Sequence, residues 1–213
     1  MTETLPLRSK IEQSPMGAYQ WMIVVMAAIM NLLDGFDVLA LAFTATAIRG
    51  EFSLTGIELG YLLSAGLFGM TAGSLFLAPL ADKIGRRPLL LMAVSLSAIG
   101  MLGSSFISQY QWLGFWRVIT GLGVGGILVG TNVITSEYSS RKWRSFAISV
   151  YAAGFGIGAV LGGMFAVMLQ GEYGWRSVFL AGAILTGLLL VVLFIWLPES
   201  IDFLTSKQPK NAE

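Results

Sequence analysis

Two carboxyl groups three residues apart, Asp34 and Asp37, interrupt an otherwise apolar stretch, WMIVVMAAIMNLLDGFDVLALAFTATAI. At helical spacing they share one face, with Asn31 one turn nearer the N-terminus. A central aspartate costs about 2.5–3.5 kcal/mol to insert into a bilayer, and each Leu, Ile, Val or Phe returns roughly 0.3–0.6 kcal/mol. The stretch 22–48 holds twelve such apolar residues, so two charged, unpaired acids would cancel about 5 kcal/mol of insertion gain. Groups that expensive point to use. A carboxyl kept from water can take up and release a proton, and a nearby arginine can bias its charge or exchange partners with it. Arg117 is the one basic residue inside a later apolar run, and Asp37 is the acid nearer the same side of the membrane, within reach of an ion pair. Two readings stay open: one acid carries a coupling proton, or one acid is no more than the structural counter-ion of Arg117. Thr120, Thr131, Asn132 and Thr135 follow Arg117 and are candidates to line a cavity, although threonines inside membrane helices commonly bond their own backbone.

The same inventory excludes other chemistry. The chain has no histidine and no cysteine, so a Ser–His–acid set, thiolate metal centres, histidine-bound zinc and haem all lack ligands. Proton chemistry near neutral pH therefore falls to carboxylates. An intramembrane aspartyl protease needs acids on two facing helices, and both acids here lie on one. No catalytic residue, metal or cofactor is expected, and nucleic acid is not an expected partner.

The elements that must hold these side chains are membrane helices. Hydrophobic residues make up 55% of the 213 and charged residues 12%, with a mean hydropathy of +0.76, values of a polytopic membrane protein. Apolar runs at 19–48, 59–80, 88–108, 113–136, 146–169 and 178–197 each reach the roughly 20 residues needed to cross the hydrocarbon. The first is too long for a signal-peptide core and reads as a retained span behind a polar tail, 1–18. Six spans put both termini on one side. Ten basic residues (Arg8, Lys10, Lys83, Arg86, Arg87, Arg141, Lys142, Arg144, Lys207, Lys210) fall on that side and two (Arg49, Arg176) on the other. Both termini are thus predicted in the cytoplasm. Aromatic residues such as Tyr19, Trp21, Tyr110, Trp112 and Trp175 flank the spans as interfacial anchors. Glycines crowd spans 2, 4 and 5, where they let helix backbones approach. Cut near Tyr110, the chain shows a weak internal echo, because spans 1 and 4 carry the buried charges and spans 2 and 5 the glycines.

Four motifs run in order along these spans. The loop after span 2 reads Leu80, Ala81, Asp82, Lys83, Ile84, Gly85, Arg86, Arg87, Pro88. Gly85 permits a tight reversal, and Pro88 suits a helix's first turn. Span 4 carries Arg117, Val118, Ile119, Thr120, Gly121, Leu122, Gly123; span 5 carries 154–163, GFGIGAVLGG; span 6 ends in Leu197, Pro198, Glu199, Ser200. Together they resemble the major facilitator superfamily of transporters. Two departures are Ala78, where the family's loop motif has glycine, and Ala159, where antiporters carry proline. Within the superfamily, Leu33, Asp34, Gly35, Phe36, Asp37 resembles the first-span element of the aromatic acid:proton symporters.

The resemblance implies an all-α membrane protein, six transmembrane helices in a 3+3 inverted-repeat bundle. It also implies proton-coupled symport of a small organic anion, an aromatic acid, by alternating access in the cell's inner membrane. Asp34, Asp37, Arg117 and Asn31 would serve proton coupling or substrate. Asp82, with Gly85, Arg86 and Arg87, would gate by contacting a helix end in a second half. The expected organisation is a cytoplasmic tail 1–18, a bundle 19–197, and 198–213 as the start of a central loop or a C-terminal tail. Glu137 and Arg144 are expected to form ion pairs in the loop after span 4. Transporters of this family resemble two such bundles with the substrate between them. The expected partners are therefore the organic acid, protons, the lipid bilayer and a second six-helix half or a second copy. The alternatives are a non-transporting bundle or assembly module, or half of a sugar or other organic acid transporter.

Overall fold

A computed structural model describes residues 15–207. They form seven helices: α1 (Ala18–Phe52), α2 (Gly56–Ile84), α3 (Arg86–Ser105), α4 (Tyr110–Tyr138), α5 (Arg144–Tyr173), α6 (Trp175–Trp196) and the short α7 (Ile201–Lys207). The first six are long and apolar enough to span a bilayer. Most of the predicted tail 1–18 and the end of 198–213 lie outside the described residues, together with Arg8, Lys10 and Lys210. Within 198–213, the structure folds Ile201–Lys207 into a helix.

The helices run past the apolar stretches at most ends, because charged and small residues continue a helical turn into the interface. Connections shrink accordingly. Gly85 alone separates α2 from α3 at φ +103°, and Gly174 alone separates α5 from α6 at φ +76°. Both lie in a region that favours glycine, which is why the chain reverses there without a longer loop. At the α2 N-terminus, the Thr55 hydroxyl accepts from the Glu58 N–H while Glu58 accepts from the Thr55 N–H, a reciprocal cap that starts the helix.

Helices α1 and α4 are the most buried and α2 and α5 the least. Two glycine seams set this arrangement. A side chain at Gly69 or Gly73 of α2 would collide with the backbone of Val118 or Leu122 on α4, and one at Gly154 or Gly158 of α5 with the backbone of Ala28 or Leu32 on α1. The two seams are related as the internal echo predicts, α2 against α4 and α5 against α1. One apolar cluster joins Phe36, Leu41, Leu62, Met101, Leu113 and Phe179. A second joins Met30, Leu90, Val94, Ile127 and Leu193. Buried polar residues lie between them along each inner helix: Asp34 and Asp37 on α1, Ser97 on α3, Arg117 and Thr120 on α4, Thr186 on α6.

Candidate functional site

The polar layer divides into two groups. Asp37 is 1% exposed, and its Oδ2 accepts a hydrogen bond of 2.6 Å from the Ser97 hydroxyl of α3. Arg117 is 3% exposed. Its Nη2 donates to the Ser104 hydroxyl at 2.9 Å, to the Thr120 hydroxyl at 3.1 Å and toward the Met101 sulfur at 3.1 Å. Its Nη1 lies 3.5 Å from the Asp37 backbone carbonyl, and the guanidinium stacks 4.7 Å from the centre of the Phe179 ring of α6. The predicted side-chain ion pair is therefore not made: among the described residues no carboxylate lies within 4.0 Å of Arg117. One hydroxyl and one sulfur from α3, Ser104 and Met101, together with the Thr120 hydroxyl and the ring from α6, hold the guanidinium beside Asp37 without joining it to the carboxyl. The second group is built on Tyr151 of α5. Asn31 donates through Nδ2 to the Tyr151 carbonyl at 2.8 Å, and Thr131 lies 3.2 Å from the Tyr151 hydroxyl. Asp34 is 2% exposed and makes no hydrogen bond among the described residues.

The four cavity candidates part company. Thr120 lines a cavity of about 30 Å³ with Asp37, Arg117 and Gly66, room for two or three waters at roughly 10–15 Å³ each. Thr131 is fully buried: its hydroxyl donates to its own helix at the Ile127 carbonyl, 2.6 Å, and its contact with the Tyr151 hydroxyl ties α4 to α5. Thr135 is fully buried, and its hydroxyl has no partner among the described residues. Asn132 lies on the exposed side of α4.

At the turn between α2 and α3, the loop motif forms a compact charge cluster. Asp82 pairs with Arg86 one turn on, at 2.5 Å. Glu199, which follows Pro198, accepts through Oε1 from the backbone N–H of Arg86 at 2.7 Å, of Arg87 at 3.1 Å and of Ser200 at 2.8 Å. A carboxylate at these free amides meets the positive end of α3. Gly85 is required here twice over, for its φ and because a side chain would strike the Glu199 carboxylate. Arg87 donates to the Phe194 carbonyl at 2.7 Å. Glu137 departs from the expected loop pairing: it is buried and accepts from the Ser200 hydroxyl at 2.8 Å and the Ile201 N–H at 2.9 Å. It caps α7 because that helix, absent from the sequence reading, brings its first amides over the end of α4. Across the molecule, Arg176 makes a two-pronged pair with Glu51, at 2.7 and 2.9 Å, and Glu51 also accepts from the Trp175 indole.

Sequence reasoning missed Ser97, Ser104, Phe179, Tyr151 and the capping role of Glu199. Only Glu199 carried a signal, an acid directly after proline at the end of a span. The serines are indistinguishable in sequence from the many hydroxyls that bond their own helix.

Residues 27–211 match the family described as Major Facilitator Superfamily. The chain is 35% identical over 204 residues to a gallate transporter of Pseudomonas putida, covering 96% of this chain and 45% of that one. It is 35% identical over 202 residues to a 4-hydroxybenzoate transporter of the same species, covering 95% and 45%. The chain thus spans about half the length of the curated relatives it matches. Among solved structures, a proton:xylose symporter superimposes with a TM-score of 0.82 at 22% identity, covering 91% of this chain and 48% of that one. A bacterial homologue of the human lysosomal transporter Spinster superimposes at 0.77 and 21%, covering 86% and 44%. The loop of α2 and α3, the arginine of α4 and the glycines of α5 all fall inside the matched stretch, and they occupy the fold of solved superfamily members: this multi-pass membrane protein belongs to the major facilitator superfamily.

Proposed function

We propose that this six-helix unit serves proton-coupled symport of a small organic anion, an aromatic carboxylate, with Asp37 as the proton carrier and Arg117 as the charge that biases it. The observation that carries the reading is the buried Asp37 carboxyl, hydrogen-bonded by Ser97 and flanked by a guanidinium that has not closed on it. A carboxyl so placed can exist in both charge states, because the ionised form has a donor and a nearby cation and the neutral form a low-dielectric seat. The names of the relatives, gallate and 4-hydroxybenzoate transporters, support an aromatic acid as cargo. The Asp82–Arg86 pair and the Glu199 cap meet at the turn between α2 and α3, which supports a gating role for this loop.

A second reading has its own support. Apolar side chains such as Phe68, Leu75 and Phe76 on α2 and Val160, Met164 and Met168 on α5 are more than half exposed. These are the surfaces on which a second six-helix unit or a second copy would complete the pathway, so the bundle on its own would be an assembly module. The bilayer is the other medium that can cover them.

Vesicles carrying the chain, with an alkaline interior, test both. The expected result is accumulation of labelled 4-hydroxybenzoate that a proton ionophore collapses. Asp37→Asn should abolish accumulation while leaving exchange of internal for external substrate. Accumulation unchanged in Asp37→Asn would overturn the role of Asp37, and accumulation only on co-expression with a second six-helix unit would select the assembly reading.

A further inference from the structure

The face of α3 that meets Arg117 is built to hold the guanidinium off Asp37. Ser97, Met101 and Ser104 recur at intervals of four and three residues and so share one side of α3. Ser97 binds the acid, Ser104 binds the base, and Met101 stands between them with its sulfur against Nη2. The helix is brought into place by its glycines. A side chain at Gly100 would collide with Thr120, and one at Gly103 with the Trp116 ring, so α3 and α4 touch where Ser104 reaches Arg117. On the other side, a side chain at Gly182 of α6 would collide with Met101, which closes the seat from above. Ser104 is fully buried and engaged twice, since its hydroxyl also donates to the Gly100 carbonyl at 2.7 Å.

The alternative arrangement is already half present. Asp37 Oδ1 and Arg117 Nε are buried and have no hydrogen-bond partner among the described residues, and Nη1 already reaches the backbone of Asp37. The charged groups that face Asp37 are Arg117 from α4 and Asp34 from its own helix. The neighbours from α3 and α6 are neutral, Ser97 and Gly182, and those lining the cavity from α2 are Leu62, Gly66 and other apolar residues. We propose that Ser104, with Thr120, is a positioning residue that parks Arg117 away from the Asp37 carboxyl, and that release from this seat lets the guanidinium pair with the carboxyl and drive its proton off. The inference rests on the reading of Asp37 as proton carrier, and it adds the group that sets when the pair closes.

Ser104→Ala removes the seat. Pairing then favours the ionised carboxyl, so half-maximal uptake should require a pH lower by about one unit or more. Ser105→Ala is the matched control, because that neighbouring hydroxyl donates only to its own helix at Leu102, and it should leave the profile unmoved. Ser104→Thr restores the hydroxyl and should restore the profile. Thr120→Val removes the other anchor at similar volume and should shift the profile the same way, which keeps the test available if Ser104→Ala does not fold. A second readout needs no transport. In detergent, the midpoint of the Tm-against-pH curve should move in Ser104→Ala, and the movement should vanish in the Asp37→Asn background. That movement in a protein without proton-driven uptake would sink the transport reading and leave the seat standing. Variants of Ser104 and Thr120 that track Ser105→Ala in both readouts would overturn the seat itself.

Discussion

Asp37 and Asp34 lie three residues apart on one helix, equally buried, and they keep different company. Asp37 looks toward α3 and α4, where a serine hydroxyl and a guanidinium meet it. Asp34 lies beside the seam between α1 and α5, where Gly35 is pressed against the Phe155 backbone and Asn31 is tied to the Tyr151 carbonyl. One acid therefore has a counter-charge and a donor within its own bundle. The other makes no hydrogen bond among the described residues. Spacing on a helix therefore does not assign a role. What assigns it is which third helix comes close enough to answer the carboxyl.

Substitutions on either side of α1 put this contrast to the test. The largest separation is expected in transport. Asp37→Asn should eliminate gradient-driven accumulation, whereas Asp34→Asn should weaken substrate binding and leave residual uptake still dependent on the gradient. Identical behaviour of the two variants in one vesicle assay would erase the distinction. Next is the seam beneath Asp34. Gly158→Ala drives a methyl into the Leu32 backbone and should cost about 1–3 kcal/mol. Gly156→Ala, with nothing within 4 Å, should stay within about 0.5 kcal/mol of the parent. Thermal unfolding in detergent compares the two, and equal losses would show that the seam tolerates a spacing change. On the other side, Ser97→Ala leaves a buried Asp37 oxygen without its donor and should cost about 1–2 kcal/mol. That loss should shrink in the Asp37→Asn background, a double-mutant cycle that isolates the contact. The smallest effect belongs far from both acids. Glu199→Gln keeps the shape of the α3 cap but removes its charge, worth about 0.3–1 kcal/mol, and the loss should lessen at high salt. A Tm unchanged at low salt would show that the cap acts through shape alone.

Much of this was legible in the chain. The apolar runs located six spans because a bilayer demands about 20 apolar residues from each crossing helix. The loop from Leu80 to Pro88, the arginine at 117 and the glycines of 154–163 pointed to the superfamily, and the match over 27–211 bears that out. Asp34, Asp37 and Arg117 stood out for their cost in lipid. Helix ends were less legible, since Gly85 and Gly174 alone make turns where the apolar pattern left gaps of several residues. The short helix after Pro198 was not foreseen, and with it the destination of Glu137 changed from a loop pair to a cap. Ser97, Ser104, Phe179 and Tyr151 left no trace, because nothing in a serine or an aromatic residue says which neighbouring helix it will face.

The medium, the number of crossings and the presence of charge inside them can be read from the chain, because they follow from the transfer cost of each residue and the period of its helix. Which groups meet inside the bundle is a matter of helix packing. The distance between Arg117 and the Asp37 carboxyl depends on how far α3 and α6 advance over α4, which is set by glycine contacts among four helices, and no local pattern along one helix encodes that separation.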